Sequence, residues 1–172
     1  MERAKYSAHI VACFVINYSQ QINTPVTNLK LQKILYFIQA HFLTKFNRPC
    51  FIEDIEAWSL GPVVPSVYHE FKSYGAGFIP YISTKYPINA FGGRLVSRAG
   101  RISVELKPKE ISFPDQSIIK LIVDKLSRYP ASTLINITHN QAPWRNAYHH
   151  GKKTISNESI KNYFEIFCAT RL

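Results

Sequence analysis

The sequence lacks the motifs that mark the common classes of enzyme. It contains neither a G-x-x-x-x-G-K-[ST] nor a G-x-G-x-x-G loop, whose backbone N–H groups would hold a phosphate, and no G-x-S-x-G turn for a serine nucleophile. His69-Glu70-Phe71 is not followed by the second histidine that a zinc-binding helix requires. Only 11 Asp and Glu occur in 172 residues, so paired carboxylates for acid–base catalysis or a hard metal ion are not expected. We therefore expect a protein that is not an enzyme and holds no cofactor or metal.

Cysteines and long apolar segments are also scarce. Cys13, Cys50 and Cys168 are odd in number and far apart, which argues against a disulfide framework and is typical of a reducing compartment. We expect Cys13 and Cys168 to act as small buried hydrophobic residues. No apolar run reaches the roughly 18 residues that a membrane span requires. Near the N-terminus the apolar residues repeat at helical spacing, which favours a first helix over a signal peptide and predicts a cytoplasmic protein with no membrane partner.

The chain length and the apolar patterns predict one domain, residues 1–172, of α+β class and mainly α. We expect a compact helical bundle-like core with a small β-hairpin or sheet insertion at about residues 78–114. The first three predicted helices run over about residues 5–21, 27–46 and 65–75. A fourth begins at a cap at Asp115 and ends at Tyr129. Three more begin at a cap at Ser132, at Pro143 and at a cap at Ser156. Residues 50–60 are expected to be extended, Gly61-Pro62 to break the chain, and residues 98–101 to form the hairpin turn.

The segment Thr27–Phe46 is the clearest of these elements. Its apolar residues form one stripe at helical spacing: Leu31, Ile34, Leu35, Ile38 and Phe42. Thr27 or Asn28 can cap its first turn. The pattern places Lys30, Gln32 and Lys33 on the wetter side of the helix, and Leu35, Ile38 and Trp58 in the core.

Several short motifs, taken in order, resemble one known family. They are Asn28-Leu29-Lys30-Leu31-Gln32-Lys33, Leu35-Tyr36, Glu56-Ala57-Trp58, Gly61-Pro62-Val63-Val64-Pro65, Val67-Tyr68, Phe71-Lys72, Tyr74-Gly75, Thr138-His139, Pro143-Trp144, Ile160 and Tyr163-Phe164. This pattern resembles the SocA-like or Panacea domain, found in antitoxins of bacterial toxin–antitoxin pairs and in phage-associated proteins. The resemblance covers about Tyr6 to Phe167 and is weak between Phe78 and Pro114.

The net charge of +10 comes from 21 Lys and Arg against 11 Asp and Glu, and it is unevenly distributed. Residues 72–109 contain seven basic residues and one acid, and residues 128–157 contain four basic residues, three histidines and no acid. Such a surface attracts an acidic protein or nucleic acid, and the charge alone does not choose between them. A surface that merely keeps the protein soluble is the third interpretation.

Two apolar motifs are candidates for binding a partner. Residues 58–65 combine a tryptophan with a rigid turn, which suits protein docking. The alternative, which we favour, is a tight corner whose tryptophan fills the core. Thr138-His139 lies near Pro143-Trp144, where the histidine could bind a ligand or sense pH. We again favour the plainer interpretation, a histidine that bonds backbone around a turn.

The third candidate is the basic hairpin that carries Arg94, Arg98 and Arg101. Arginines on a twisted ribbon bind phosphate or carboxylate well, and they equally keep an edge strand from pairing with other chains. The three candidates, together with two lysines of the Thr27 helix, predict these partner-binding residues: Lys30, Lys33, Trp58, Gly61, Pro62, Val63, Arg94, Arg98, Arg101, His139 and Trp144.

The resemblance implies the role of an antitoxin. We expect the chain to neutralise a cognate toxin encoded nearby by direct binding, or to act as an adaptor that presents the toxin to a protease. The alternative is a nucleic-acid-binding regulator of phage or bacterial type, and weak, non-specific nucleic-acid binding fits the charge. Against the alternative, the Thr27 helix is followed by an extended segment and so forms no evident helix-turn-helix.

Overall fold

We describe the protein from a computed structural model, which covers residues 3–82, 95–98, 101–104 and 111–169. For residues 95–98, 101–104 and 167–169 the description is of the backbone alone. The predictions made for Arg94 and for the side chains of Arg98, Arg101 and Cys168 therefore lie outside the described residues.

The described elements confirm an α+β fold that is mainly α. The helices are α1 Ala8–Gln21, α2 Asn28–Phe46, α3 Pro65–Phe71, α4 Phe113–Ser127, α5 Ala131–His139, α6 Ala142–His149 and α7 Asn157–Ala169, with a 3₁₀ turn at Lys72–Tyr74. The strands are β1 Ile55–Trp58, β2 Gly61–Val63, β3 Leu95–Arg98, β4 Arg101–Val104 and β5 Thr154–Ile155. No helix in these ranges is both long and apolar enough to pass through a membrane.

Two separate antiparallel pairings make up the β structure. β3 and β4 form the predicted hairpin, with Arg98 opposite Arg101. The other sheet has the order β2-β1-β5, with Trp58 opposite Gly61 and Ile55 opposite Ile155. The prediction that Gly61-Pro62 breaks the chain is therefore wrong, because both residues belong to β2. That strand is at the edge of the sheet, where a proline that cannot donate a hydrogen bond is tolerated.

α2 is the central helix of the protein. α1, α3, α4, α5, α7 and β2 all pack against it, so it is surrounded rather than covered on one face. Leu35 and Ile38 are completely buried, as predicted. Gln32 and Lys33 are also completely buried, which contradicts their assignment to the wetter side. A helix enclosed on every side has no wet side, and its polar residues must find partners inside the protein.

The ends of the helices only partly follow the predicted caps. The side chains of Ser7, Thr27 and Ser156 accept hydrogen bonds from backbone N–H groups in the first turns of α1, α2 and α7. The caps predicted at Asp115 and Ser132 are wrong, since α4 already begins at Phe113 and α5 at Ala131. Asp115 lies in the first turn of α4 and is buried.

Asp115 is held by a buried ion pair that joins distant parts of the chain. Nη2 of Arg48 donates to its Oδ1 at 2.7 Å and its Oδ2 at 2.8 Å, and the Tyr6 hydroxyl donates to Oδ2 at 2.7 Å. The Arg48 guanidinium also lies over the rings of Phe42 and Phe46. Burial alone would raise the pKa of Asp115, but the hydrogen bonds of Tyr6 and Arg48 and the positive charge of Arg48 lower it.

Candidate partner-binding site

Buried polar side chains of α2 fix the corner that joins β2 to α3. Lys33 Nζ donates to the carbonyl oxygen of Pro62 at 2.9 Å, and Gln32 Oε1 accepts from the backbone N–H of Val64 at 2.9 Å. Asn28 Nδ2 donates to the carbonyl oxygen of Tyr68 at 2.9 Å. These bonds satisfy backbone groups of β2, of Val64 after it and of the last turn of α3, so the corner has one defined conformation.

Gly61 is required where this corner begins. Its φ of +102° is a backbone conformation that residues with a Cβ rarely adopt. A Cβ on Gly61 would lie 2.8 Å from Lys33 Nζ and 2.9 Å from Thr138 Oγ1. The glycine thus allows α2, β2 and α5 to approach one another closely.

Lys33 is a buried base in an apolar setting. Its side chain has no exposed surface, and no carboxylate among the described residues lies within ion-pair distance of its Nζ. Burial lowers the pKa of Lys33 to about 7, because the charged ammonium is poorly solvated there. In the unfolded chain the same lysine would have a pKa near 10.4.

We expect this lysine to make stability depend on pH. Between pH 7 and 10 the unfolded chain binds a proton at Lys33 that the folded chain does not, so raising the pH favours the folded state. The free energy of unfolding of the wild type, minus that of Lys33→Met, should therefore rise by about 1 kcal/mol per pH unit in this range. Urea titrations at pH 7, 8 and 9 measure the difference, from which the other titrating groups cancel. Exposed Lys152→Met is the control and should leave the slope unchanged; parallel curves for wild type and Lys33→Met would contradict the assignment.

A row of stacked rings lies beside the corner. His139 stacks on Trp144 with 4.0 Å between ring centroids, and Trp144 stacks on Tyr148 at 4.8 Å. Trp144 is buried, and its Nε1 donates to the carbonyl oxygen of Trp58 at 2.9 Å. This hydrogen bond connects α6 to the end of β1.

The prediction that His139 bonds backbone around a turn is only partly confirmed. Its ring hydrogen-bonds to the backbone of Ser59, as expected of a histidine at a turn, but its Nε2 is buried and has no partner among the described residues. Burial and the nearby Lys33 lower the pKa of His139, while the bond to Ser59 raises it; the net shift is downward. His139 is accordingly neutral at pH 7.

Trp58 is half-buried, so the prediction that it fills the core is wrong. Its ring packs edge-on against Tyr68 at 5.0 Å and lies 5.9 Å from His69, both on α3, and its Nε1 donates to Glu56 Oε2 at 2.8 Å. Trp144 is the buried tryptophan of this region instead.

Trp58 belongs to a partly exposed surface around the β1–β2 turn. Leu60, in the turn, is 53% exposed, and Tyr148 is 42% exposed. Tyr148 stacks on Trp144, whose Nε1 donates to the backbone carbonyl of Trp58. The ring of Trp58 in turn contacts Tyr68 and His69. We call this surface the aromatic patch; it consists of Trp58, Leu60, Tyr68, His69 and Tyr148.

The border of the aromatic patch is mainly basic. Exposed Arg145 precedes Tyr148 by one turn of α6, and exposed Lys152 and Lys153 follow α6. The nearby acids are Glu56, which is paired with Lys153 Nζ at 3.2 Å, and Glu70, which follows His69 and is bonded to His9. The field at this border therefore favours negatively charged groups on a binding partner.

The structure brings together most of the residues predicted from sequence. Lys33, Trp58, Gly61, Pro62, Val63, His139 and Trp144 gather at this corner. Lys30 does not join them, since its Nζ donates to the carbonyl oxygen of Ser127 at the end of α4. Sequence reasoning missed Leu60, His69 and Tyr148. A signal for Tyr148 existed in its spacing, one helical turn after Trp144 in the helix predicted from Pro143.

Comparison with known proteins gives two matches. The family model described as antitoxin SocA-like, Panacea domain, matches residues 31–145, a range that contains Lys33, Trp58, Gly61, His139 and Trp144. The chain is also 30% identical over 141 residues to the protein named Antitoxin SocA of Caulobacter vibrioides (strain NA1000 / CB15N), covering 80% of this chain and 68% of that protein. No solved structure matches the chain.

Proposed function

The chain belongs to the family of SocA-like antitoxins with a Panacea domain, and from this premise we propose that it neutralises a cognate toxin by direct binding through the aromatic patch. We choose this surface because its rings are exposed or half-buried and because hydrogen bonds from α2 fix the corner beside them. Tryptophan and tyrosine dominate the binding energy of many protein interfaces.

A rigid support matters because ordering a flexible loop on binding costs free energy. Here the corner is already fixed by Gln32 and Lys33, and the exposed rings rest on other side chains. In this proposal the completely buried Lys33 does not touch the toxin. Gly61, Pro62 and Val63, all buried, likewise shape the corner that presents Trp58 and Leu60.

The charge around the aromatic patch indicates the character of the toxin's binding face. Arg145 and Lys152 leave exposed positive charge beside the patch. We propose that the toxin presents an apolar centre with carboxylates around it, that it is encoded beside the antitoxin, and that binding occludes its active site without any chemistry by the antitoxin. An adaptor role, in which the bound toxin is delivered to a protease, uses the same first contact.

Co-expression with the neighbouring gene tests the proposal. The neighbour alone should stop growth, and adding this chain should restore it and yield a complex that co-purifies. A basic protein of similar net charge is the control and should not rescue. The toxin's abundance separates the two mechanisms, since occlusion leaves it unchanged and an adaptor lowers it. A neighbour that is harmless, or that never associates with this chain, would contradict the proposal.

The second candidate, a nucleic-acid-binding regulator, is motivated by the charge of +10. α2 is followed by β1 and β2 rather than by a recognition helix, so α2 is not the first helix of a helix-turn-helix. We therefore expect only weak, sequence-independent binding that disappears near physiological salt.

A salt titration with duplex DNA measures this expectation. A protein that contacts six phosphates would lose roughly a thousandfold in affinity between 50 and 200 mM salt. The wild type should show no tight binding at 150 mM salt, and the triple variant Arg94→Ala/Arg98→Ala/Arg101→Ala tests the hairpin. Tight binding at 150 mM salt that the triple variant loses would establish the regulator instead. A triple variant that loses only toxin binding would place the hairpin in the protein interface.

A further inference from the structure

A cysteine, a histidine and a glutamate form a hydrogen-bonded chain between α1 and α3. Cys13 Sγ lies 3.3 Å from His9 Nε2, and His9 Nδ1 lies 2.6 Å from Glu70 Oε2. Cys13 was expected to be a small buried hydrophobic residue. It is instead half-buried and has a polar partner.

Each link of this chain has a defined role in moving a proton. Cys13 follows His9 by four residues, so both side chains lie on one face of α1. An ionised Glu70 can only accept hydrogen bonds, so it fixes Nδ1 as the donor and leaves Nε2 facing the thiol. The ring of Phe71 stacks against His9 at 6.4 Å and limits its rotation. Burial alone would lower the pKa of His9, but its hydrogen bonds to Cys13 and Glu70 raise it to about 10.

We propose that Cys13 is a site of modification by peroxide, with His9 as the group that takes the thiol proton and Glu70 as the group that positions His9. Thiolates, not thiols, attack electrophiles, and a histidine within hydrogen-bond distance provides the acceptor that the attack requires. Cys13 is half-buried rather than enclosed, and hydrogen peroxide is small enough to enter such a site.

The reaction balances with hydrogen peroxide as the oxidant. The proton of Cys13 is held on Nε2 of His9, whose pKa of about 10 keeps the ring protonated at neutral pH, and the thiolate sulfur attacks one peroxide oxygen. An S–O bond forms and the O–O bond breaks, so the sulfur is oxidised by two electrons to a sulfenic acid while the peroxide is reduced. The departing hydroxide takes the proton from His9 and leaves as water, so neutral His9 remains beside the sulfenic acid.

Oxidation of the reduced full-length chain by hydrogen peroxide tests the proposal, with dimedone trapping the sulfenic acid and peptide mass spectrometry reading each cysteine. Cys13 should react at least about tenfold faster than free glutathione at the same pH, although a half-buried thiol without activation would react more slowly. In His9→Asn the rate at Cys13 should fall to or below that of glutathione, and Glu70→Gln should give an intermediate rate. His149→Asn is the control and should react like the wild type.

Two results would overturn the proposal. One is a wild-type Cys13 that reacts no faster than glutathione, a comparison that needs no variant and so is independent of any folding defect. The other is a folded His9→Asn variant, judged by circular dichroism, with an unchanged rate at Cys13.

Discussion

Replacing Arg48 by methionine should lower the free energy of unfolding by about 3–5 kcal/mol, because it leaves the buried carboxylate of Asp115 without the guanidinium that is hydrogen-bonded to it. Lys5 Nζ, 4.0 Å from Asp115 Oδ2, belongs to a mostly exposed side chain and compensates only weakly. Asp115 accepts two hydrogen bonds from Arg48, and both side chains are nearly inaccessible to solvent. The Tyr6 hydroxyl still donates to Asp115 in the variant, but a neutral donor does not neutralise the charge. Methionine fills much of the space against Phe42 and Phe46, so the loss reports the charge more than a cavity.

Urea denaturation of the purified variants measures this effect. The pair of Lys161 and Glu165, 3.6 Å apart on α7, is the control, and Glu165→Gln, at the exposed end of this pair, should cost less than about 1 kcal/mol. Adding Asp115→Leu to Arg48→Met should recover part of the stability, because no unpaired charge then remains. An Arg48→Met chain as stable as the wild type would show that the ion pair does not hold these segments together.

The helices were predictable where one local pattern decides them. α2 has an apolar repeat and a threonine cap at the position that the sequence indicates, and Pro65 and Pro143 each mark the first turn of a helix. The β3–β4 hairpin likewise follows from alternation around a short turn. These features depend on neighbours within a few residues, which the sequence displays directly.

The candidate site depends on contacts that no local pattern displays. Lys33 looks like a surface residue because a lysine beside an apolar stripe normally is one, and only the packing of β2 and α5 around α2 buries it. The pairing of Arg48 with Asp115 joins residues 67 positions apart. β5 has two residues, too few to show alternation. The family motifs contain Lys33, Pro62 and Trp144, which make the distant contacts of the corner, but neither Arg48 nor Asp115.

Tyr148→Ala should weaken toxin binding by about 2 kcal/mol, close to thirtyfold in affinity, if the aromatic patch is the interface. Tyr148 is the most exposed ring of the stack with Trp144, and truncating it removes apolar surface that a partner would cover while leaving the buried Trp144 in place. Leu60→Ala, in the β1–β2 turn, should weaken binding in the same direction. The measurement is the dissociation constant of the purified toxin by isothermal titration calorimetry.

The chain provides a close control for each change. Tyr129 is 40% exposed, against 42% for Tyr148, and Ile52 is 70% exposed, against 53% for Leu60; neither belongs to the aromatic patch. Tyr129→Ala and Ile52→Ala should bind the toxin as the wild type does, and all four variants should keep the wild-type melting temperature within a few degrees, since exposed side chains contribute little to stability. If the controls weaken binding while Tyr148→Ala and Leu60→Ala do not, the toxin binds another face of the protein, and the rigid corner around Gly61 serves the fold rather than recognition.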